Sequence, residues 1–537
     1  MKMNSKYILF LLVSLLLGST ACNDSEFLTE NNPNDFTAAA FWKTKEHAVA
    51  GVMSAYGALQ FGNVMGGNAS TSLMVMTDMV KPNPWNSGAK ALNDFSFNES
   101  SGFVRDAWKD LYVGVFRANQ VLANVPDIAM EEVDKEQILG EAYFLRGLFN
   151  FWLATMYNDG EIVLHTEVPS IDNVEKGLSS REDVYAAIIS DFENAKAMLP
   201  EKWPAEQTGR ATWGAATALL GKVHLYEENW AQAAANFKEV IDRPDLYQLT
   251  DDISDNFSLE GEFNSESIFE VAFSDAAKPG ASGYTVDGPN GSESTTRPRI
   301  IAPGFGGGWR VQVPTLWAIQ LYKDDPIDPA DPRNVGRTYS LRAVASVTFK
   351  GDDLTYYTKE NAEINWESSN LQTEGYIRKF QNWEWESEDK TLTRSGINER
   401  IIRLADVYLM YAEAVLEKDG DVATAIDYIN MVRKRSAVLP LEASDFNKES
   451  LMTHLIKVER ALELAFEGHN IRFNDIRRKG IGKALFTEIS QIDFDLNGAV
   501  VKDFELAAQN YGPEKEYFPI PNSEVLANEN LQGNGGE

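Results

Sequence analysis

Apolar positions along this chain recur at three- and four-residue spacings over several long windows, and those windows predict helices. From Val104 to Val125, the residues Trp108, Leu111, Tyr112, Val115, Ala118, Val121 and Leu122 fall on one face of an amphipathic helix. Residues 132 to 157 repeat the pattern with Ile138, Ala142, Leu145, Phe149, Trp152 and Met156. Further helices are predicted at about 181 to 199, 211 to 228 and 230 to 242, and short links between consecutive helices favour antiparallel packing. Two stretches break the period. The first, about 62 to 103, contains GNVMGGNAST and KPNPWNSGAK. The second, about 250 to 400, is rich in Gly, Pro, Ser, Asn and Asp, with short strand-like runs at Ser267 to Phe273, Ala343 to Lys350 and Tyr376 to Phe380.

The helical windows also carry a longer period. Leu220-Gly221, His224, Ala233, Phe237 and Val240 fit the tetratricopeptide spacing, with Pro244 closing it, and His224 fills the aromatic position as a core residue. A second register places Ala412, Leu416, Ala425, Ile429 and Val432 at the same spacing, with Glu413 where the glycine stood. The pattern has a packing cause: small residues sit where two helices cross closely and large ones fill the gaps between repeats. The expected fold is therefore mainly α, a tetratricopeptide-like helical scaffold. It carries a loop-rich irregular insert with short strands. The scaffold helices are expected at about 37–61, 104–242 and 400–480, and the inserts at about 62–103 and 250–400. Loops held by a rigid scaffold are where binding residues concentrate.

Charge narrows the function. Eighty acidic residues against 49 Lys and Arg give a net charge of -31, which disfavours nucleic acid because duplex binding needs Lys and Arg to replace condensed counterions. Apolar residues at 44% and charged residues at 24% are a globular balance over 537 residues. The single cysteine, Cys22, leaves no intrachain disulfide framework and no cysteine zinc cluster. Its position is informative. Lys2 and Lys6 precede the apolar run Tyr7 to Gly18, too short to cross about 30 Å of hydrocarbon, and Ser19, Thr20 and Ala21 lead into Cys22. Residues 1–21 thus read as a lipoprotein signal peptide, with Cys22 as the acylated first residue of the mature chain. Residues 22–36 follow as a polar, flexible leader. Two or three acyl chains, at about 0.8 kcal/mol per buried CH₂, would tether the protein permanently.

Catalytic readings find little support. The five histidines form no HExxH pair, and neither a GxSxG elbow nor a GxxxxGK loop is present. Gly304 to Trp309 lacks the spacing and the lysine of a phosphate loop, and reads as a flexible loop presenting an aromatic. Glu413, Glu459, Glu463 and Glu467 lie on apolar helices near Arg403, Arg433 and Arg460, as expected of buried ion pairs rather than of a glycosidase dyad. Asp324, Asp325, Asp328 and Asp331 offer oxygen ligands to Ca²⁺, although the spacing is not an EF-hand and the prolines suggest a turn. Calcium is the one cofactor the sequence leaves open.

Several segments resemble the SusD/RagB-like outer-membrane nutrient-binding lipoproteins of Bacteroidetes. They are Phe41-Trp42-Lys43-Thr44, Glu141 to Gly147, Ala211 to Ala216, Glu266 to Val271, Arg403 to Ala414, Asn430 with Arg433 and Arg435, Glu459 to Gly468, and Pro519-Ile520-Pro521. The resemblance implies a single tetratricopeptide-like domain of about four helix pairs over 37–537, with ligand-binding inserts at about 62–103 and 250–400, and no catalysis. It also implies capture of oligosaccharides, or in some members peptides, for a partner SusC-like TonB-dependent transporter at the cell surface. Sugar recognition asks for exposed aromatic faces with amides and carboxylates beside them. Trp85 with Asn83 and Asn86, and Trp309 with Arg310, lie on the two inserts where the resembled family places its ligand; Asp78 and Tyr284 are added, with Trp366, Trp383 and Trp385 as further exposed aromatics. Trp108, Trp152 and Trp213, on helix faces, are expected in the core.

Overall fold

A computed structural model describes residues 41–170, 173–277, 293–366, 373–382 and 395–532, with only the backbone of 69–71. The long helices, numbered in chain order, are α1 (Lys45–Leu59), α2 (Gly102–Asn124), α3 (Glu132–Met156), α4 (Arg181–Met198), α5 (Trp213–Tyr226), α6 (Trp230–Ile241), α7 (Leu404–Asp419) and α8 (Val422–Arg435). Each packs on the next, so the scaffold is a continuous array of four helix pairs, interrupted in sequence after α1 and after α6. Side-chain oxygens start these helices where the sequence supplies them: Thr44, Ser180, Thr212 and Asp421 each accept a hydrogen bond from a first-turn N–H.

The repeat spacing has the expected cause. A Cβ on Gly221 would lie 2.7 Å from the Phe237 ring, so only glycine lets α5 and α6 approach this closely. Ala233, Phe237 and Val240 are fully buried, as are Ala412, Leu416, Ala425, Ile429 and Val432 in the second register. Glu413, in place of the glycine there, is buried against Arg478 and Lys479. Trp108 and Trp152 are core residues as expected. His224 and Trp213 are only half-buried, and Trp213 opens α5 with Arg243 over its ring.

The described parts of both inserts hold more regular structure than their composition suggests. The first holds helices Asn68–Met74 and Ser87–Asn93 around strand β1 (Val80–Pro82). The second contributes β2 (Ser267–Val271), β3 (Gln312–Pro314), β4 (Val347–Phe349) and β5 (Gly375–Ile377), with β6 (Glu399–Arg403) leading into α7. All pair antiparallel in twos: β1 with β3, β2 with β6, β4 with β5. The strand expected from Ala343 begins instead as a helix, Leu341–Ser346, because the Ser340 hydroxyl caps the Ala343 N–H.

Buried arginine–carboxylate pairs fasten the inserts to the helices. Arg403, at the end of β6, holds Glu266, Glu463 and Glu467; Lys379 adds to Glu467, and Arg435 bridges Glu266 and Glu463. Arg342 joins Asp325 to Glu459, which Arg433 also holds. Arg460 spans Asp406 and Asp475. The four glutamates set aside as ion-pair partners are therefore all committed to cations. Surrounding cations hold Glu459 below the usual carboxylate range against the opposing effect of burial.

Candidate functional site

The pairing of β1 with β3 brings the two inserts together. Val80, Lys81 and Pro82 face Pro314, Val313 and Gln312 in register. One residue beyond, the chain reverses in a turn from Asn83 to Asn86, the Asn86 N–H donating to the Asn83 carbonyl at 3.0 Å. Proline at the second position and asparagine at the first are the residues such a turn favours, since Pro84 presets φ and the Asn83 side chain caps the turn. Trp85 occupies the third position. It sits at the tip and is 60% exposed, among the most exposed large apolar side chains described.

Asn83 is the hub of this turn. Its N–H donates to the Val311 carbonyl at 2.6 Å and its amide to the Arg310 carbonyl at 3.3 Å, while its Oδ1 accepts from the Trp85 N–H at 3.5 Å. Asn86 ends the turn and starts the next helix, its Oδ1 accepting from the Ala89 N–H. The ring of Trp85 is thus carried by a rigid turn clamped to the second insert. The sequence pointed to Asn83 beside Trp85 as a ligand contact; the structure makes it the clasp.

The opposite wall, residues 299 to 311, folds back on itself through three backbone hydrogen bonds, Trp309 to Arg299, Arg310 to Ala302 and Val311 to Ile300. A Cβ on Gly308 would fall 2.2 Å from the Ala302 carbonyl oxygen, so the glycine run serves a close backbone approach. This corrects the expectation of a flexible loop presenting an aromatic: Trp309 is half-buried, with the Arg299 guanidinium 4.3 Å from its ring centre. Arg310, in the left-handed region at φ 50°, faces Tyr376; burial raises that phenol and the guanidinium opposes the rise. Behind the wall lies a buried aromatic cluster that includes Tyr356, Tyr357, Trp366 and Tyr376. Trp366 was expected exposed. Its indole N–H instead donates to the Asn361 carbonyl inside this cluster.

Between turn and wall opens a cleft of about 330 Å³. Trp85 and Asn86 line it from the turn, and Ile300, Val311 and Gln312 from the wall; the two short helices and Phe97, Ser101, Gly102 and Phe103 complete it. Neither insert announces this cleft in its own sequence, because the lining is drawn from both and the β1–β3 pairing joins them. Among the described residues no Asp, Glu, Lys, Arg or His lines it.

Other expectations are corrected. Asp78 is fully buried, its carboxylate accepting from Arg472 Nε at 2.8 Å and Nη2 at 2.7 Å, and from the Trp317 indole at 3.4 Å. It fastens the first insert and does not face a ligand. The four aspartates considered for calcium do not converge. Asp325 spends both oxygens on Arg342, Asp331 both on Arg333, and Asp324 accepts from Gln320. Asp328 accepts from the Ala330 N–H, and no cluster of three metal-ligating side chains occurs among the described residues. Tyr284, Trp383, Trp385 and the signal through Cys22 lie outside the described residues.

Comparison with known proteins agrees with this architecture. The SusD family matches residues 265–536, and a family described as starch-binding associating with outer membrane matches residues 26–225. A SusD-like protein of Formosa agariphila is 25% identical over 543 residues, covering 96% of each chain. One of Bacteroides ovatus is 24% identical over 483 residues, covering 87% of this chain and 81% of its own. Among solved structures, a SusD superfamily protein of Bacteroides vulgatus superimposes with a TM-score of 0.75 at 26% identity, covering 91% of this chain and 98% of that one. A laminarin-binding SusD-like protein gives 0.70 at 26% identity, covering 91% and 98%.

Proposed function

Because this chain belongs to the SusD family, we propose that it is a non-catalytic glycan-binding protein of the outer-membrane surface, which captures oligosaccharides and passes them to a partner SusC-like TonB-dependent transporter. The observation that carries the reading is Trp85, an exposed indole at the tip of a clamped turn, above a cleft lined by amides, hydroxyls and apolar groups. An indole face desolvates the C–H side of a pyranose while amides meet its hydroxyls, and a preformed platform loses little entropy on binding. Trp85 and Asn86 are proposed as direct contacts. Trp309 and Arg310 belong to the facing wall, where neither lines the cleft, and are proposed to support it; Tyr284 is retained as a contact from the second insert. The laminarin-binding relative and the family described as starch-binding support a glycan over a peptide.

No described helix is long and apolar enough to cross a membrane. We place the attachment at Cys22, acylated after removal of residues 1–21; palmitate labelling lost in Cys22→Ala supports it, and equal labelling of the two overturns it. The central test incubates the protein lacking residues 1–22 with a panel of neutral and anionic glycans and peptides. Retention of a glycan, uncleaved, is the expected result. Released products would establish a glycosidase, and retention of peptides alone would establish the peptide-binding alternative. Co-purification of a TonB-dependent transporter with the full chain tests the hand-off.

A further inference from the structure

We infer that the cleft beneath Trp85 admits uncharged sugar units and excludes uronate and sulfated ones. The inference rests on the reading of Trp85 as the stacking platform. Its polar lining consists of groups without formal charge: the amides of Asn68, Asn86 and Gln312 and the hydroxyls of Ser72 and Ser101. Such groups suit a sugar hydroxyl, which both donates and accepts, whereas an anion needs a cation or several N–H donors to replace its hydration.

Cations do occur near the cleft, and they are engaged elsewhere: Arg310 with the Tyr376 phenol and Lys515 with the Phe97 carbonyl. Lys81 is paired with Asp503 at 2.8 Å, and Lys90, on the helix that forms one wall, with Asp94. Arg297 is buried against Glu399, and Arg299 lies over the Trp309 ring. Recruiting any of them would break a contact already made, and for Arg297 would leave Glu399 a buried unpaired charge. The net charge of -31 adds a repulsive background for an anion.

One rim position allows the inference to be tested by gain rather than loss. Gly88 lines the cleft on the helix Ser87–Asn93, and a Cβ there would meet only Asn86 Oδ1, at an ordinary 3.6 Å. A lysine at this site enters open space, and it favours helix over glycine. Gly88→Lys should therefore fold and place an uncommitted ammonium at the cleft mouth.

The experiment measures calorimetric affinities of wild type, Gly88→Lys and Trp85→Ala for three probes of equal length and linkage. They are a neutral gluco-oligosaccharide, its C6-oxidised uronate and its sulfated form. Wild type is expected to bind the neutral probe roughly tenfold or more tightly than either anion, the scale of an unsatisfied buried polar group. Gly88→Lys is expected to raise the affinity for each anion relative to that for the neutral probe roughly fivefold, in a salt-sensitive way. Equal wild-type affinity for neutral and anionic probes, with Trp85→Ala weakening all of them, overturns the selectivity while the platform stands. Discrimination that Gly88→Lys does not alter places the selectivity outside the cleft and overturns the inference as well. Affinities unchanged in Trp85→Ala, or no binding of any probe, overturn both the inference and the reading beneath it.

Discussion

Replacing Asp78 by asparagine separates a structural carboxylate from a ligand-binding one. Asp78 is fully buried and meets Arg472 through two hydrogen bonds of 2.8 and 2.7 Å, with the Trp317 indole as a third donor. Asparagine keeps the volume but leaves the Arg472 guanidinium buried beside a neutral amide. It also turns an NH₂ donor toward other donors. Breaking a buried pair by removing one charge costs about 3 to 5 kcal/mol. At an unfolding entropy near 2.1 cal/mol/K per residue, a chain of this length changes by roughly 1 kcal/mol per degree. Asp78→Asn should then lower the melting temperature by about 3 to 5 °C if the molecule unfolds as one unit. The buried carboxylate does not line the cleft, so affinity for a retained glycan, measured well below the transition, should stay within about threefold of wild type. Paired thermal melts and calorimetry read both quantities. A tenfold loss of affinity at an unchanged melting temperature would refute the assignment and return Asp78 to the ligand.

Three further outcomes follow from particular contacts. Asn83→Ala removes the side-chain bonds to Arg310 and Trp85; affinity should fall several-fold, mainly through a less favourable binding entropy, while the melting temperature moves by no more than about 2 °C, and an unchanged affinity would show that Trp85 needs no clasp. Gly221→Ala forces a methyl against the Phe237 ring, so a loss of about 1 to 3 kcal/mol is expected in denaturant unfolding, and a neutral result would contradict the tight α5–α6 crossing. Glu262 is pushed up to about 7 from an ordinary 4.5, chiefly by burial, so the folded state holds a proton that the unfolded state has lost between those values. Stability should decline as pH rises through that window, and Glu262→Gln should flatten the decline in melts from pH 4.5 to 7.5; parallel curves would show that Glu262 does not titrate there.

The helical scaffold was legible because its signal is local. The three- and four-residue period put the ends of α2, α3, α4 and α6 within about two residues of where they fall, and the Leu220 to Val240 spacing marked the α5–α6 crossing through Gly221 and Phe237. Trp85 was legible for a related reason: Asn83, Pro84 and Asn86 are turn chemistry, and a turn tip exposes what it carries. Burial that depends on distant partners was not legible. Asp78 meets an arginine 394 positions away, and nothing in its neighbourhood announces that pairing. Trp366 and Trp309 lie in loop-like sequence as Trp85 does. Their environments are set by Asn361 within the aromatic cluster and by Arg299 over the ring, which no composition of the insert reveals. The cleft belongs to the same class, since the β1–β3 pairing joins lining residues from both inserts.

The account depends most on Trp85 as the platform that holds a glycan, and calorimetric titration of Trp85→Ala with the glycan retained by wild type tests it most directly. Truncating an aromatic anchor of this kind costs about 2 kcal/mol or more, roughly thirtyfold in affinity. Because the side chain is 60% exposed and packs little, its removal should leave the melting temperature within about 1 °C. A loss of roughly thirtyfold at an unchanged melting temperature is the predicted result; an affinity equal to wild type would contradict the account and move the ligand away from this turn.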